Sequence, residues 1–332
     1  MLYSNLDTIR LKSTSYVGGA GAEDLAAPLA SSPLTPRRAT TLDAKPVSDE
    51  SAPEFQKSNI VDITDAPEWT HVTRLTRGYR VFHSTKDAVA SLFSLHNDTL
   101  NIWTHLLGLA WLLYVIPETF ARLGSSGSYT RDYVFFALYF FGALTQMGTS
   151  VLYHTFRCVS NDFETALLKL DIFGIFAMII GAWVLAMTQA FHCRPYTAGA
   201  YLTAEAVILV CFAFSGIRAA HDQRWISTYH FVASLSVGFG LVPSLHALLT
   251  CATSDCFRVL SLAEIGVFSY YACGFVFFLT RIPERFFPNV FDFFGHSHSI
   301  WHVFVFLAAR HWLLGMLDFN TTLMQEGVTS CA

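Results

Sequence analysis

Seven times after residue 100 the chain runs for about 20 residues with little or no charge, the length a helix needs to cross about 30 Å of hydrocarbon. The runs lie near 104–123, 133–153, 171–191, 199–217, 229–249, 262–281 and 298–318. The second, from Tyr133 to Tyr153, contains no Asp, Glu, Lys or Arg. Spans of this length can satisfy their backbone polar groups in lipid only as helices. Composition agrees: 53% of residues are apolar and only 14% charged, too greasy for an ordinary soluble enzyme. The expected fold is therefore an all-α integral membrane protein, a bundle of seven transmembrane helices.

The chain divides accordingly. Residues 1–68 are expected to be a disordered cytoplasmic tail, because Ser, Thr, Ala and Pro dominate their first part and bury too little apolar surface to offset ordering. Ser32-Pro33 and Thr35-Pro36-Arg37-Arg38 in that tail resemble kinase targets. No signal-peptide core stands near the start, so the first span is expected to act as the insertion signal. Residues 69–103 read as a juxtamembrane segment lying at the interface, 104–318 as the seven-helix domain, and 319–332 as a short external tail.

Orientation follows from basic residues in short loops, which stay in the cytoplasm. Arg74, Arg77, Arg80, Lys86, Arg157, Lys169, Arg218, Arg224, Arg281 and Arg285 fall on one side, ten in all, against Arg122, Arg131, Arg194 and Arg258 on the other. The N-terminus is thus expected inside and the C-terminus outside. This is opposite to a G-protein-coupled receptor. A retinal protein is disfavoured too, since the last lysine is Lys169 and the seventh span has none for a Schiff base.

That topology brings distant residues to one depth. The second span ends at His154, the third begins at Asp171 and the seventh begins at His298, all at the cytoplasmic edge. His298 and His302 are spaced i, i+4 and share a helix face, as do Ser150 and His154. A lone interfacial histidine is commonly structural. Three on converging helix ends, beside an acid and a hydroxyl, read as a zinc site, because zinc takes imidazole readily and three protein ligands leave a fourth position open. His296 adds a fourth histidine, expected to be a loop residue. His96 and His105 are expected to pack or hydrogen-bond around the first span, and His221, His230, His246 and His311 to be ordinary interhelical groups. Cys193, Cys251 and Cys256 fall on the external side, where a disulfide is permitted; free thiols are the favoured reading. No CxxC pair, phosphate-cradling glycine loop or basic stripe for nucleic acid is visible, and the net charge of -4 adds nothing toward nucleic acid. Arg310, inside the seventh span, is expected to pair with a buried acid at similar depth, Glu205 first and Glu264 second.

Several segments carry a resemblance. Arg77-Gly78-Tyr79-Arg80, the run Ser94-Leu95-His96-Asn97-Asp98-Thr99-Leu100-Asn101-Ile102-Trp103-Thr104-His105, Ser150 to His154, Asp171, Arg281-Ile282-Pro283-Glu284-Arg285-Phe286-Phe287-Pro288 and His298 to His302 together resemble the progestin and adiponectin receptor family, including its fungal members. The resemblance covers about 77–317. It implies seven helices, an internal N-terminus and a zinc ion held by His154, His298 and His302. It further implies that Asp171 hydrogen-bonds the water on the metal and that Ser150 helps orient that shell. Asp98 stands where the family has Glu, a change expected not to touch the metal.

Zinc makes water acidic and polarises carbonyls, so the first functional expectation is a hydrolase of lipid amides, which the resemblance narrows to ceramide-like substrates. The alternative is a membrane receptor with a purely structural zinc. A zinc transporter is disfavoured, because its ligands should be distributed across the bilayer. Expected partners are a membrane lipid, an extracellular protein ligand and cytoplasmic proteins that bind the N-terminal tail, and the expected location is the plasma membrane or endoplasmic reticulum.

Overall fold

The computed structural model describes residues 60–82 and 84–327. The expected tail therefore lies outside the described residues as far as residue 59, and so do Ser32 and Thr35. Residues 60–68, read as the end of that tail, are folded. Strand β1 (Ile60–Val61) pairs antiparallel with β2 (Tyr79–Arg80), placing Ile60 opposite Arg80. A short helix, α1 (Thr85–Ala90), follows.

The membrane domain consists of α2 (Thr99–Ser125), α3 (Thr130–Phe156), α4 (Asn161–Ala190), α5 (Pro195–His221), α6 (Ile226–Phe239), α7 (Leu241–Leu249), α8 (Ser254–Thr280) and α9 (Ser297–Gln325). Six of these are long and apolar enough to cross a bilayer. The fifth expected span, 229–249, is divided between α6 and α7. Pro243 explains the division: proline lacks the amide N–H and its ring clashes with the carbonyl four residues earlier, at Phe239, where α6 stops. With that broken fifth crossing the architecture is a seven-helix membrane bundle. Residues 319–325, read as the start of an external tail, continue α9.

Sequence chemistry sets the helix ends. Ser160 caps α4 by accepting the Phe163 amide at 3.2 Å, and Thr253 caps α8 by accepting that of Cys256 at 3.0 Å. Helix α9 is held more firmly. His296 caps it, Glu284 accepts the Ser297 amide at 2.8 Å, and the Ser297 hydroxyl also donates to Glu284. His296 is buried and donates through Nε2 to the Asn97 carbonyl at 2.9 Å. It is thus a fixed cap rather than the loop residue expected, and it fixes the end of the helix that carries His298 and His302.

Helices α3 and α4 cross in backbone contact. A Cβ at Gly142 would lie 2.5 Å from the Ala177 carbonyl oxygen, so only glycine permits the approach. Leu112, Tyr139, Met147, Leu185, Leu313 and Met316 fill the core, and the Tyr139 hydroxyl donates to the Ala309 carbonyl at 2.6 Å. At the end of the bundle remote from His154 a buried chain links three helices. Gln189 donates to Asp132 at 3.0 Å, Asn320 to Gln189 at 2.9 Å and Ser128 to Asn320 at 2.6 Å.

Two expectations about this domain are corrected. Arg310 is exposed on the bundle surface, its guanidinium 5.7 Å from the Trp111 ring centroid, while Glu205 is buried and accepts from Ser236 at 2.5 Å. The two do not pair, and Glu264 forms no ion pair with Arg310 among the described residues. Depth along a helix does not fix the direction a residue faces around it. Cys251 and Cys256, expected as thiols, are joined as a disulfide with their Cα atoms 5.6 Å apart. They come together where the loop after α7 turns into the first turn of α8.

Candidate metal centre

Three helix ends converge on one point. His154 lies in the last turn of α3, and His298 and His302 lie in the first two turns of α9. Each offers one ligand atom, and these atoms all lie within 4.8 Å of one another. The closest separations are 3.2 Å between the Nε2 atoms of His302 and His298 and 3.5 Å between those of His298 and His154.

The hydrogen atoms decide what this means. His154 Nδ1 lies 2.8 Å from Asp98 Oδ1, so Nδ1 donates and the Nε2 of a neutral ring is a bare acceptor. A bare Nε2 on His154 accepts either a ring N–H of a neighbouring imidazole or a cation lying among the three nitrogens. Imidazoles at about 2.0–2.1 Å from a tetrahedral metal hold their nitrogens about 3.3 Å apart, and the observed 3.2 and 3.5 Å match that spacing. The residues present fit a metal ion.

Asp98 is the residue that the sequence reading undervalued, because it was expected to stand clear of the metal site. As the N-cap residue of α2 it makes no capping hydrogen bond. One carboxylate oxygen instead receives His154, and Asn101 donates to that same oxygen at 3.2 Å. The other oxygen accepts from buried Arg80 at 3.1 Å. Arg157 approaches to 3.9 Å. Burial opposes ionisation of Asp98, but the His154 hydrogen bond and the charges of Arg157 and Arg80 outweigh it and hold the carboxyl well below the usual range. Such carboxylate partners fix the tautomer and orientation of a metal-binding imidazole. The available signal was an Asp and an Asn three residues apart where the first span begins at the histidine end.

Arg80 does more than neutralise Asp98. It donates to the Ser91 hydroxyl at 2.9 Å, to the Thr155 carbonyl at 3.3 Å and to the His154 carbonyl. These carbonyls belong to the last turn of α3, where a cation complements the helix dipole. Gly78 makes the approach possible. Its φ is +82°, and a Cβ there would lie 2.9 Å from the Phe293 ring. Thr76 and Arg77 reach Asp292 at 2.9 and 3.4 Å, tying the 60–98 segment to the loop before α9. His96 is also part of this cover. Burial and the Arg80 charge push its imidazole down to about 3, leaving Nδ1 to accept the Asp98 amide at 3.1 Å and Nε2 to donate to the Ser91 carbonyl at 3.1 Å.

The remaining site residues stand differently. Ser150 is buried one turn before His154 on α3. Asp171, in α4, is half-buried and has no hydrogen bond or ion pair to a described residue; its carboxylate is outside the three-histidine group. His105 is buried against His302 with ring centroids 4.2 Å apart, a contact the sequence reading did not anticipate.

Comparison with known proteins shows the family. Residues 93–313, well over half the chain, match the family model described as "Haemolysin-III related". The chain is 33% identical over 256 residues to "Heptahelical transmembrane protein 1" of Arabidopsis thaliana, covering 72% of this chain and 74% of that protein. It is 30% identical over 244 residues to "Progestin and adipoQ receptor family member 3" of Mus musculus, covering 72% and 78%. It is 28% identical over 273 residues to the "Adiponectin receptor protein" of Drosophila melanogaster, covering 78% and 61%. With three histidines, an apolar bundle and these likenesses in agreement, the chain belongs to the haemolysin-III-related family of progestin and adipoQ receptors, and is an integral membrane protein.

Proposed function

We propose that the chain is a zinc-dependent hydrolase of lipid amides of the ceramide type, with its metal centre near the cytoplasmic face. The observation that carries this reading is the convergence of three imidazole nitrogens within 4.8 Å, two of their separations matching a tetrahedral ion, because three ligands leave the fourth position to be filled from outside the set. Zinc bound there supplies Lewis acidity and water of near-neutral pKa.

The protein's own groups have separate tasks. Asp98 holds His154 in the tautomer that presents Nε2. Asp171, with no partner among the described residues, is free to accept a proton from water and return it to the departing amine. Ser150 contributes a buried hydroxyl one turn deeper than His154. The basic residues of the loops at the histidine end favour a cytoplasmic position for that end and for the N-terminus, within reach of amide groups just beneath lipid headgroups. The membrane of residence is then the plasma membrane or endoplasmic reticulum.

Asp171→Asn tests the reading. We expect the purified variant to keep its zinc while fatty-acid release from ceramide falls about 10²- to 10⁴-fold, the usual worth of a positioned proton-transfer group. Equal release by wild type and variant would remove Asp171 from the reaction.

A second reading, a receptor with a structural metal, draws on the Drosophila relative being named a receptor. It also draws on the ties from Arg80 and Arg77 to the centre and the adjoining loop, which would couple the N-terminal segment and its cytoplasmic partners to an extracellular ligand. Under it, wild-type protein with full zinc would release no fatty acid.

A further inference from the structure

His105 is buried at 4% exposure, and among the described residues neither ring nitrogen meets full hydrogen-bond geometry, the His302 backbone being the polar group nearest to it. An unsatisfied imidazole inside an apolar bundle is costly unless something outside the protein occupies its nitrogens. Its position says what that is. Asn101 and His105 are one turn apart on the same face of α2, and Asn101 Nδ2 lies 3.4 Å from His154 Nδ1. His105 therefore faces the same centre one turn deeper in the bundle. Ser150 stands at the corresponding step from His154 on α3, and His302 from His298 on α9. His105 packs on the His302 ring at 4.2 Å between centroids, but the group of converging ligand atoms is His154, His298 and His302.

The chemistry of this deeper level is neutral. Within one turn of His105, Ser150 and His302 on their own helices, no Lys or Arg occurs. The cations Arg80 and Arg157 are gathered around Asp98 at the histidine end. A phosphate would find no Lys or Arg within those turns to hold it. A hydroxyl, which donates and accepts one bond at a time, matches an imidazole with one donor and one acceptor nitrogen.

We propose that His105 is a substrate-binding residue whose imidazole hydrogen-bonds a hydroxyl of a neutral lipid head held at the metal centre. The inference rests on the lipid-amide reading and deepens it. With the amide carbonyl directed to the metal, the neighbouring hydroxyl of a sphingoid-type head is the polar group left for His105.

The experiment uses the full chain, loaded with zinc in lipid nanodiscs, and two probes: a long-chain ceramide, and an N-alkyl fatty amide of equal chain lengths without hydroxyls. Binding is followed by ligand-induced thermal stabilisation over a concentration series, and zinc by elemental analysis of the same samples. Wild type is expected to bind ceramide about tenfold more tightly than the amide, the worth of one net hydrogen bond. His105→Phe should keep its zinc and bind both probes alike. His105→Gln, which restores a donor and an acceptor, should recover much of the preference. An undiminished ceramide preference in His105→Phe overturns the proposal, and so does loss of zinc from that variant, which would make His105 a metal ligand. If His105→Phe does not fold, the wild-type comparison decides: equal binding of the two probes overturns it. Should wild type bind neither probe, the lipid-amide reading fails and this inference falls with it. Ceramide binding that ignores His105 removes this inference alone.

Discussion

His302→Ala is expected to empty the metal centre. His302 is the histidine whose ring meets all the others, with centroids 4.2 Å from His105 and 4.8 Å from both His154 and His298. Structural zinc sites bind with about 10–16 kcal/mol. One ligand of three carries roughly a third of that, so its loss weakens binding by about 3–5 kcal/mol, or on the order of 10²- to 10⁴-fold. Elemental analysis after dialysis against metal-free buffer should find little zinc in the variant. The folded bundle should also melt earlier, because an ion that binds only the native state stabilises it. Full zinc occupancy in His302→Ala would mean that the three histidines do not form the site.

The second large effect is expected at Asp98. Removing the carboxylate leaves Arg80 and Arg157 buried without their shared anion and releases the His154 ring from its tautomer. Breaking a buried ion pair from one side costs about 3–5 kcal/mol, more than replacing both members by apolar groups. Asp98→Ala should therefore unfold far more readily than wild type, and Asp98→Ala with Arg80→Met should regain part of the loss. Asp98→Asn keeps the shape and should fold, with zinc affinity down about 10- to 100-fold, as for other carboxylates behind metal-binding histidines. Denaturation and zinc competition on the same four proteins check both effects. Wild-type stability and affinity in Asp98→Ala would reduce the Asp98 network to packing.

What could be read from the sequence divides along a physical line. Distance along a helix is set by a fixed rise per residue, so run length revealed the spans, and the i, i+4 spacing of His298 and His302 placed both on one face beside the end of the second span. The break between α6 and α7 was masked by continuous hydropathy over 229–249, although Pro243 marked it. Direction around a helix depends on which neighbours pack where. Arg310 and Glu205 were matched in depth but face different surroundings, Trp111 and Ser236 respectively. Asp98 reads in the sequence as a mild replacement of Glu that does not touch the metal. Its side chain serves another helix, and only the close approach of α2 to the end of α3 reveals that.

The most direct test of the account is zinc content and ceramide hydrolysis measured together on one purified wild-type sample in lipid. The expected result is about one zinc per chain, as for a single three-histidine tetrahedral site, and fatty-acid release that stops on chelation and returns when zinc is restored. Protein that is folded yet holds no zinc contradicts the metal centre, and protein with full zinc that releases no fatty acid from ceramide contradicts the hydrolase.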